Sequence, residues 1–259
     1  MLPDFNLHTH TFRCHHAQGE DEDYVIKAIE NGYKTIGFSD HAPYIFPAGH
    51  YSGFRIDIED AQDYADSIKA LKNKYDGVID IKLGYEVEWY PMLIGRELDY
   101  LKSFDYDYLI CGQHYTGNEI ESWANYTGHK TNNPEDLDRY IFQVLDAASS
   151  GEMAYIAHPD IINFKGDKGF FLDRLFFLVR ELRRIDIPLE YNFLGYTDRR
   201  QYPSDDFWRM VASEGNRVVI GLDAHKPEVY EDKKHLEKMI AHMAELGLKY
   251  ITDVNEILK

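Results

Sequence analysis

Asn6-Leu7-His8-Thr9-His10 is the stretch around which the rest of the chain is organised. Polar and apolar residues alternate there at the period of a strand. Side chains two apart on a strand point the same way, so His8 and His10 project from one face. Two imidazoles side by side at a strand's C-terminal end supply half of a metal site. Such a pair is weak evidence by itself. Its weight comes from repetition: Ser39-Asp40-His41, Glu86, His114, His158 and Asp223-Ala224-His225 each lie at or just past the end of a short strand-like run.

Those runs are Phe5–His10, Thr35–His41, Ile79–Trp89, Tyr106–His114, Met153–His158, Pro188–Phe193 and Arg217–Asp223. Helical spacing is seen between them, over Glu22–Asn31, Ile58–Tyr75, Leu93–Leu101, Phe170–Ile185 and Lys234–Leu246. Two further helices start at Pro134, as a first-turn proline, and at Ser204, as an N-cap. Ala42–Gly53, Thr116–Asn133 and Gly195–Pro203 read as loops, and Lys249–Thr252 as a short strand or extension. Strands alternating with helices imply a parallel sheet with right-handed crossovers. No glycine-rich phosphate loop follows the first strand, which argues against a dinucleotide-binding fold. The expectation is a closed or nearly closed α/β barrel, with its site at the C-terminal strand ends. Gly84, Gly112 and Gly221 precede candidate ligands by one or two steps along a face, and would leave room at the barrel axis.

The 259 residues are read as a single domain over 1–259, with 44% hydrophobic residues to build the core. No apolar run approaches the roughly 20 residues of a membrane span. No basic-then-apolar leader opens the chain. Cys14 and Cys111 suggest no disulfide framework, and a cytoplasmic location is expected. A net charge of −17 argues against a nucleic-acid partner, and bound divalent cations would offset part of it. Imidazole and carboxylate donors suit Zn, Mn or Fe(II). His235 and His242 read as surface residues of a helix, His50 and His129 as loop residues, and His15 competes with His16 as a ligand.

HTHT (8–11), SDH (39–41), GYE (84–86), GQH (112–114), AHPD (157–160) and GLDAH (221–225) follow one another in order. On these motifs the chain resembles the polymerase and histidinol phosphatase (PHP) family. Within it, Cys14 followed by His16, and the pair Ala42-Pro43, resemble the histidinol-phosphate phosphatase branch. The resemblance implies a distorted, TIM-like seven-stranded (β/α)7 barrel holding three divalent metal ions. It implies His8, His10, Glu86 and Asp223 on the first ion. Glu86 would bridge to a second, held also by His114 and His158. His16, His41 and His225 would hold the third, His16 being preferred to His15 by its distance from His10. The branch also carries an arginine after the fifth-strand histidine, where this chain has Asn163 with Lys165 nearby. A second arginine, after the sixth strand, is matched by Arg199 or Arg200, of which one but not both should contact phosphate.

The implied activity is that of a phosphatase: hydrolysis of L-histidinol phosphate, a small phosphorylated substrate, through attack of a metal-bridging hydroxide on phosphorus. Glu86, Asp223 and Asp40 are the carboxylates expected to serve the reaction, Asp40 by orienting a ligand from the opposite parity to His41. Glu88 and Asp160 are candidates to meet the cationic end of the substrate. The alternatives are a phosphoesterase for another small metabolite or nucleotide, and a non-catalytic PHP module within a larger assembly.

Overall fold

In the computed structural model, which describes residues 2–258, seven parallel strands stand side by side in chain order. They are β1 (Phe5–Asn6), β2 (Thr35–His41), β3 (Asp80–Val87), β4 (Tyr108–Cys111), β5 (Tyr155–Ile156), β6 (Leu189–Asn192) and β7 (Val218–Gly221). The crossovers carry α1 (Asp21–Glu30), α2 (Ala61–Lys74), α3 (Ile94–Lys102), α4 (Pro134–Ser149) and α5 (Lys168–Ile185). Two helices, α6 (Phe193–Asp198) and α7 (Asp205–Glu214), join β6 to β7, and α8 (Lys233–Glu245) follows β7. Among the described residues no helix is long and apolar enough to cross a membrane.

The sheet closes just beyond the outer strands. Thr9 bridges Ala224 in parallel, His10 N–H donates to the Ala224 carbonyl at 2.9 Å, and Ala224 N–H to the His8 carbonyl at 3.1 Å. Asn6 Oδ1 accepts from Leu222 N–H at 2.9 Å. The result is a distorted, TIM-like (β/α)7 barrel, as expected. Its floor is an apolar plug of Phe5, Leu7, Tyr108, Ile110, Tyr155 and Val219, joined by Ile251 and Ile257 from the C-terminal segment. The larger core lies between strands and helices, and includes Tyr64, Tyr85, Tyr140 and Trp208.

Most strands are shorter than their sequence pattern. β1 stops at Asn6, because its side chain turns back on the chain: Nδ2 donates to the His8 carbonyl at 3.0 Å and Oδ1 accepts from His8 N–H. An Asx-type turn of this kind replaces ladder bonds. β5 and β7 stop where His158 (φ 32°) and Asp223 (φ 51°) take left-handed backbone, which no ladder accommodates. The expected Gly195–Pro203 loop begins inside α6. Ser204 sits at the start of α7 without a side-chain cap, and its N–H donates to Asp160 Oδ2 at 2.6 Å.

Candidate metal centre

The C-terminal ends of six strands bring imidazoles and carboxylates into one cluster. His8 Nε2 lies 3.6 Å from Glu86 Oε2 and 3.5 Å from Asp223 Oδ1. His10 Nε2 lies 3.6 Å and 3.1 Å from the same two atoms. On the other oxygen of Glu86, His158 Nε2 stands at 2.9 Å and His114 Nε2 at 3.7 Å. A third group gathers His16, His41 and His225, with ring centroids of His16 and His225 4.8 Å apart and those of His16 and His41 5.4 Å apart. His15 turns away: its ring faces Tyr51, and its Nε2 lies 3.3 Å from Asp57. Cys14 stays beside the third group, its Sγ 3.9 Å from His16 Nε2 and directed to the Thr11 carbonyl.

The backbone makes room for these side chains. A Cβ on Gly112 would fall 1.7 Å from Glu86 Oε1, and one on Gly221 2.2 Å from Glu190 Oε2. At both positions only the absence of a side chain lets the carboxylate cross the barrel axis.

Three buried carboxylates hold three of the imidazoles from behind. Glu190 Oε2 lies 2.7 Å from His8 Nδ1, Asp40 Oδ1 3.2 Å from His10 Nδ1, and Glu88 Oε1 2.9 Å from His114 Nδ1. Each holds its ring by Nδ1–H and so directs Nε2 at the cluster, where a bound cation would take the place of a proton. Asp40 is itself held, accepting from Thr11 N–H at 3.1 Å, from the Thr11 hydroxyl and from His41 N–H at 2.9 Å. Glu190, on β6, belongs to no motif in the sequence. Burial in a strand that follows no histidine gave no sign of it.

The electrostatics are those of a site short of positive charge. Burial would lower His8, but Glu190, Asp223 and Glu86 outweigh it and raise its pKa to about 10. His225 is pushed down to about 3 by burial, reinforced by His10. Burial opposes ionisation of Glu86 and Asp223, yet the surrounding histidines hold both well below the ordinary carboxylate range. His8 Nε2, His10 Nε2, His41 Nδ1 and Glu86 Oε2 are shut off from solvent without a hydrogen-bond partner. Imidazole nitrogens and carboxylate oxygens that face one another buried and unpaired call for positive charge between them, as a divalent cation would supply. The first group is close to the spacing for one: a tetrahedral ion with bonds of about 2.0–2.2 Å needs ligand–ligand edges of about 3.3–3.6 Å, which three of its contacts match, while His10 to Asp223 is shorter at 3.1 Å. The residues fit divalent metal binding.

The cluster forms the floor of a cavity of about 640 Å³, within the range of small-molecule sites. Phe54, Tyr115, Tyr126, His129 and Tyr202 form its walls, and Arg200 lies on its rim. Arg200 Nη1 donates to Tyr202 OH at 3.2 Å, and its Nη2 to Asp198 Oδ2 at 2.9 Å. Arg199 ends α6 with left-handed backbone (φ 54°) and is exposed outside the cavity lining. Lys165 is likewise exposed outside it, and its backbone N–H pairs with the Thr131 carbonyl. Asn163 donates to the Gly128 carbonyl at 3.0 Å, bracing the Thr116–Asn133 segment. Two expectations for the substrate's cationic end are corrected. Glu88 is fully buried between His114 and Arg55, and Asp160 is buried against the start of α7. His50 is exposed and reaches Glu119 at 3.2 Å, while His242 pairs with Asp205 on the surface.

Residues 6–192 match the PHP domain family, and the chain belongs to that family. A Deinococcus radiodurans protein named probable histidinol-phosphatase is 28% identical over 232 residues, 85% of each chain. One of the same name from Schizosaccharomyces pombe is 23% identical, over 89% of this chain and 83% of its own. Among solved structures, the histidinol phosphate phosphatase of Lactococcus lactis, crystallised with Zn, L-histidinol and phosphate, has the same fold. It superposes with a TM-score of 0.73 at 19% identity, over 97% of this chain and 96% of its own.

Proposed function

We propose that the chain is a metal-dependent phosphomonoesterase that hydrolyses L-histidinol phosphate to L-histidinol and phosphate. The observation that carries the reading is the convergence of imidazole and carboxylate donors under one open cavity with a guanidinium on its rim. The names of the PHP relatives, and the histidinol and phosphate bound by the Lactococcus lactis protein, support this substrate. We assign three divalent ions, of Zn, Mn or Fe, to the three donor groups. His8, His10, Asp223 and Glu86 Oε2 make the first, Glu86 Oε1, His114 and His158 the second, and His16, His41 and His225 the third. We read residues 1–259 as one phosphoesterase domain, and the two free cysteines favour a cytoplasmic setting.

Divalent ions, when bound, supply Lewis acidity that lowers the pKa of water and offsets phosphoryl charge. The chain supplies position. Glu86 joins two donor groups through its two oxygens, so that both are held at one distance. Glu190, Asp40 and Glu88 keep three imidazoles in the tautomer that donates a lone pair. Arg200, steadied by Asp198, is within the cavity to hydrogen-bond a phosphoryl oxygen. The aromatic walls offer ring faces to the substrate's imidazole.

Asn163, in the place of an arginine and turned into its own loop, favours one second reading: a related phosphatase for another small phosphate ester. Metal-replete protein tested on a panel of phosphate esters separates the two. The expected result is the highest kcat/KM on histidinol phosphate. A higher value on a sugar phosphate or nucleotide would replace the substrate, and no turnover of any ester would overturn the enzyme reading.

A further inference from the structure

One buried cation has no part in the chemistry described so far. Arg55 lies in the connection between β2 and α2 and is 2% exposed. Its Nη1 donates to Glu88 Oε2 at 2.8 Å and to the Ala42 carbonyl at 3.0 Å. Its Nε donates to Ser52 Oγ at 3.0 Å, and its Nη2 to Glu119 Oε2. The guanidinium packs against the rings of Phe54 and Tyr44, 4.4 Å and 5.1 Å from their centroids. Glu88 then passes the constraint on, since its other oxygen holds His114 Nδ1.

We propose that Arg55 is a positioning residue of the metal centre, fixing the His114 ring through Glu88 while tying both cavity loops to the same carboxylate. The inference rests on the metal reading above. Glu88 without an anchor could swing, and the direction of the His114 Nε2 lone pair would swing with it. A planar fork is needed to reach a carboxylate, a carbonyl, a hydroxyl and a second carboxylate together, which an ammonium on a flexible stem cannot do. The second arm explains why the anchor sits here. Ala42 and Ser52 belong to the segment after β2, Glu119 to the segment after β4, and Phe54, next in the chain, lines the cavity 5.2 Å from the His41 ring. One guanidinium therefore sets the cavity wall and a ligand beneath it in a single register.

The test is metal affinity, read by competition with a chromophoric chelator on wild type, Arg55→Met, Arg55→Lys and the double variant Arg55→Met/Glu119→Gln. Zinc is the probe, and circular dichroism reports the fold. Arg55→Met should weaken one ion by about 10- to 100-fold and leave the others in place. Arg55→Lys should recover only part of that loss. Should Arg55→Met fail to fold because Glu88 and Glu119 are both left without their cation, the double variant removes the Glu119 charge while keeping Glu88 on His114, and should show the same single-site loss. A folded Arg55→Met or double variant that binds every ion with wild-type affinity overturns the role of Arg55 alone. Wild-type protein that retains no zinc overturns the metal reading, and this inference with it.

Discussion

Arg200→Ala is expected to lower kcat/KM on histidinol phosphate by about 10- to 50-fold, and Arg199→Ala to leave it within about twofold. A charge-assisted hydrogen bond contributes about 1.5–3 kcal/mol, which converts to about 10- to 150-fold. The structure places this case in the lower half of that range. Nη2 and Nε of Arg200 already face Asp198, at 2.9 Å and 3.3 Å, so one edge of the fork is engaged. Nη1 is the arm shared with Tyr202 OH, and the side chain is 39% exposed, so water competes for it. A single bond to phosphate is therefore expected, not a two-pronged clamp. Phosphate is present in both ground and transition states, so part of the loss should appear in KM. The assay is steady-state release of inorganic phosphate from each variant, with metal content checked first. Near-full kcat/KM in Arg200→Ala, or an equal loss in Arg199→Ala, would refute the reasoning.

Glu190→Gln should keep the fold but weaken metal binding by about 10- to 100-fold, because His8 loses its charged partner; metal content after dialysis against a chelator reads this. Gly112→Ala should displace the Glu86 carboxylate and abolish turnover, whereas Gly95→Ala, on a helix with open space around it, should raise Tm slightly. His16→Ala should lose metal from the third group while His15→Ala retains it, and elemental analysis that found the reverse would show the loop register to be wrong. Burial raises the Glu97 pKa from 4.5 to about 8. The folded state then binds more protons than the unfolded state between those values. The stability involved is complete below about pH 4.5 and is lost as pH rises through 8, by a few kcal/mol at most. Urea melts at pH 6 and pH 9 should differ more for wild type than for Glu97→Gln.

The strand ends were legible because each donor sits in a short motif after an apolar run, and because only glycine fits where Gly112 and Gly221 face a carboxylate. What escaped the sequence was whatever depends on a partner far along the chain. Glu190 is read from β6 alone as an ordinary strand residue, and becomes an orienting group only when β1 brings His8 to within 2.7 Å. Arg55 sits in a loop, where arginine is ordinarily solvated, and its burial depends on Glu88 and Glu119 arriving from two other segments. Glu88 shares parity with Glu86, which predicts it at the mouth, but the segment after β2 folds over that position and closes it.

His8 and His10 share a face, but not because one unbroken strand carries them there. Phe5 and Leu7 point into the barrel floor, so an unbroken strand would have turned His8 and His10 away from the axis. The turn at Asn6 breaks the alternation and brings both imidazoles back. His158, of opposite parity to Tyr155 and Ala157 in the floor, is re-aimed by left-handed backbone at the residue itself, whereas Asp223 already shares the face of Val219 and Gly221. Conformations of that kind cost about 1–3 kcal/mol each and persist where the surroundings over-determine them. Here the surroundings are the closing bonds between the ends of β1 and β7 and the hydrogen bond of Asn192 to Asp223 at 3.1 Å. Strand length is thus overread from sequence at the ends of β1, β5 and β7, where the chain leaves the ladder before the donor residues, whereas His41 and Glu86 reach the cluster from within the ladders of β2 and β3.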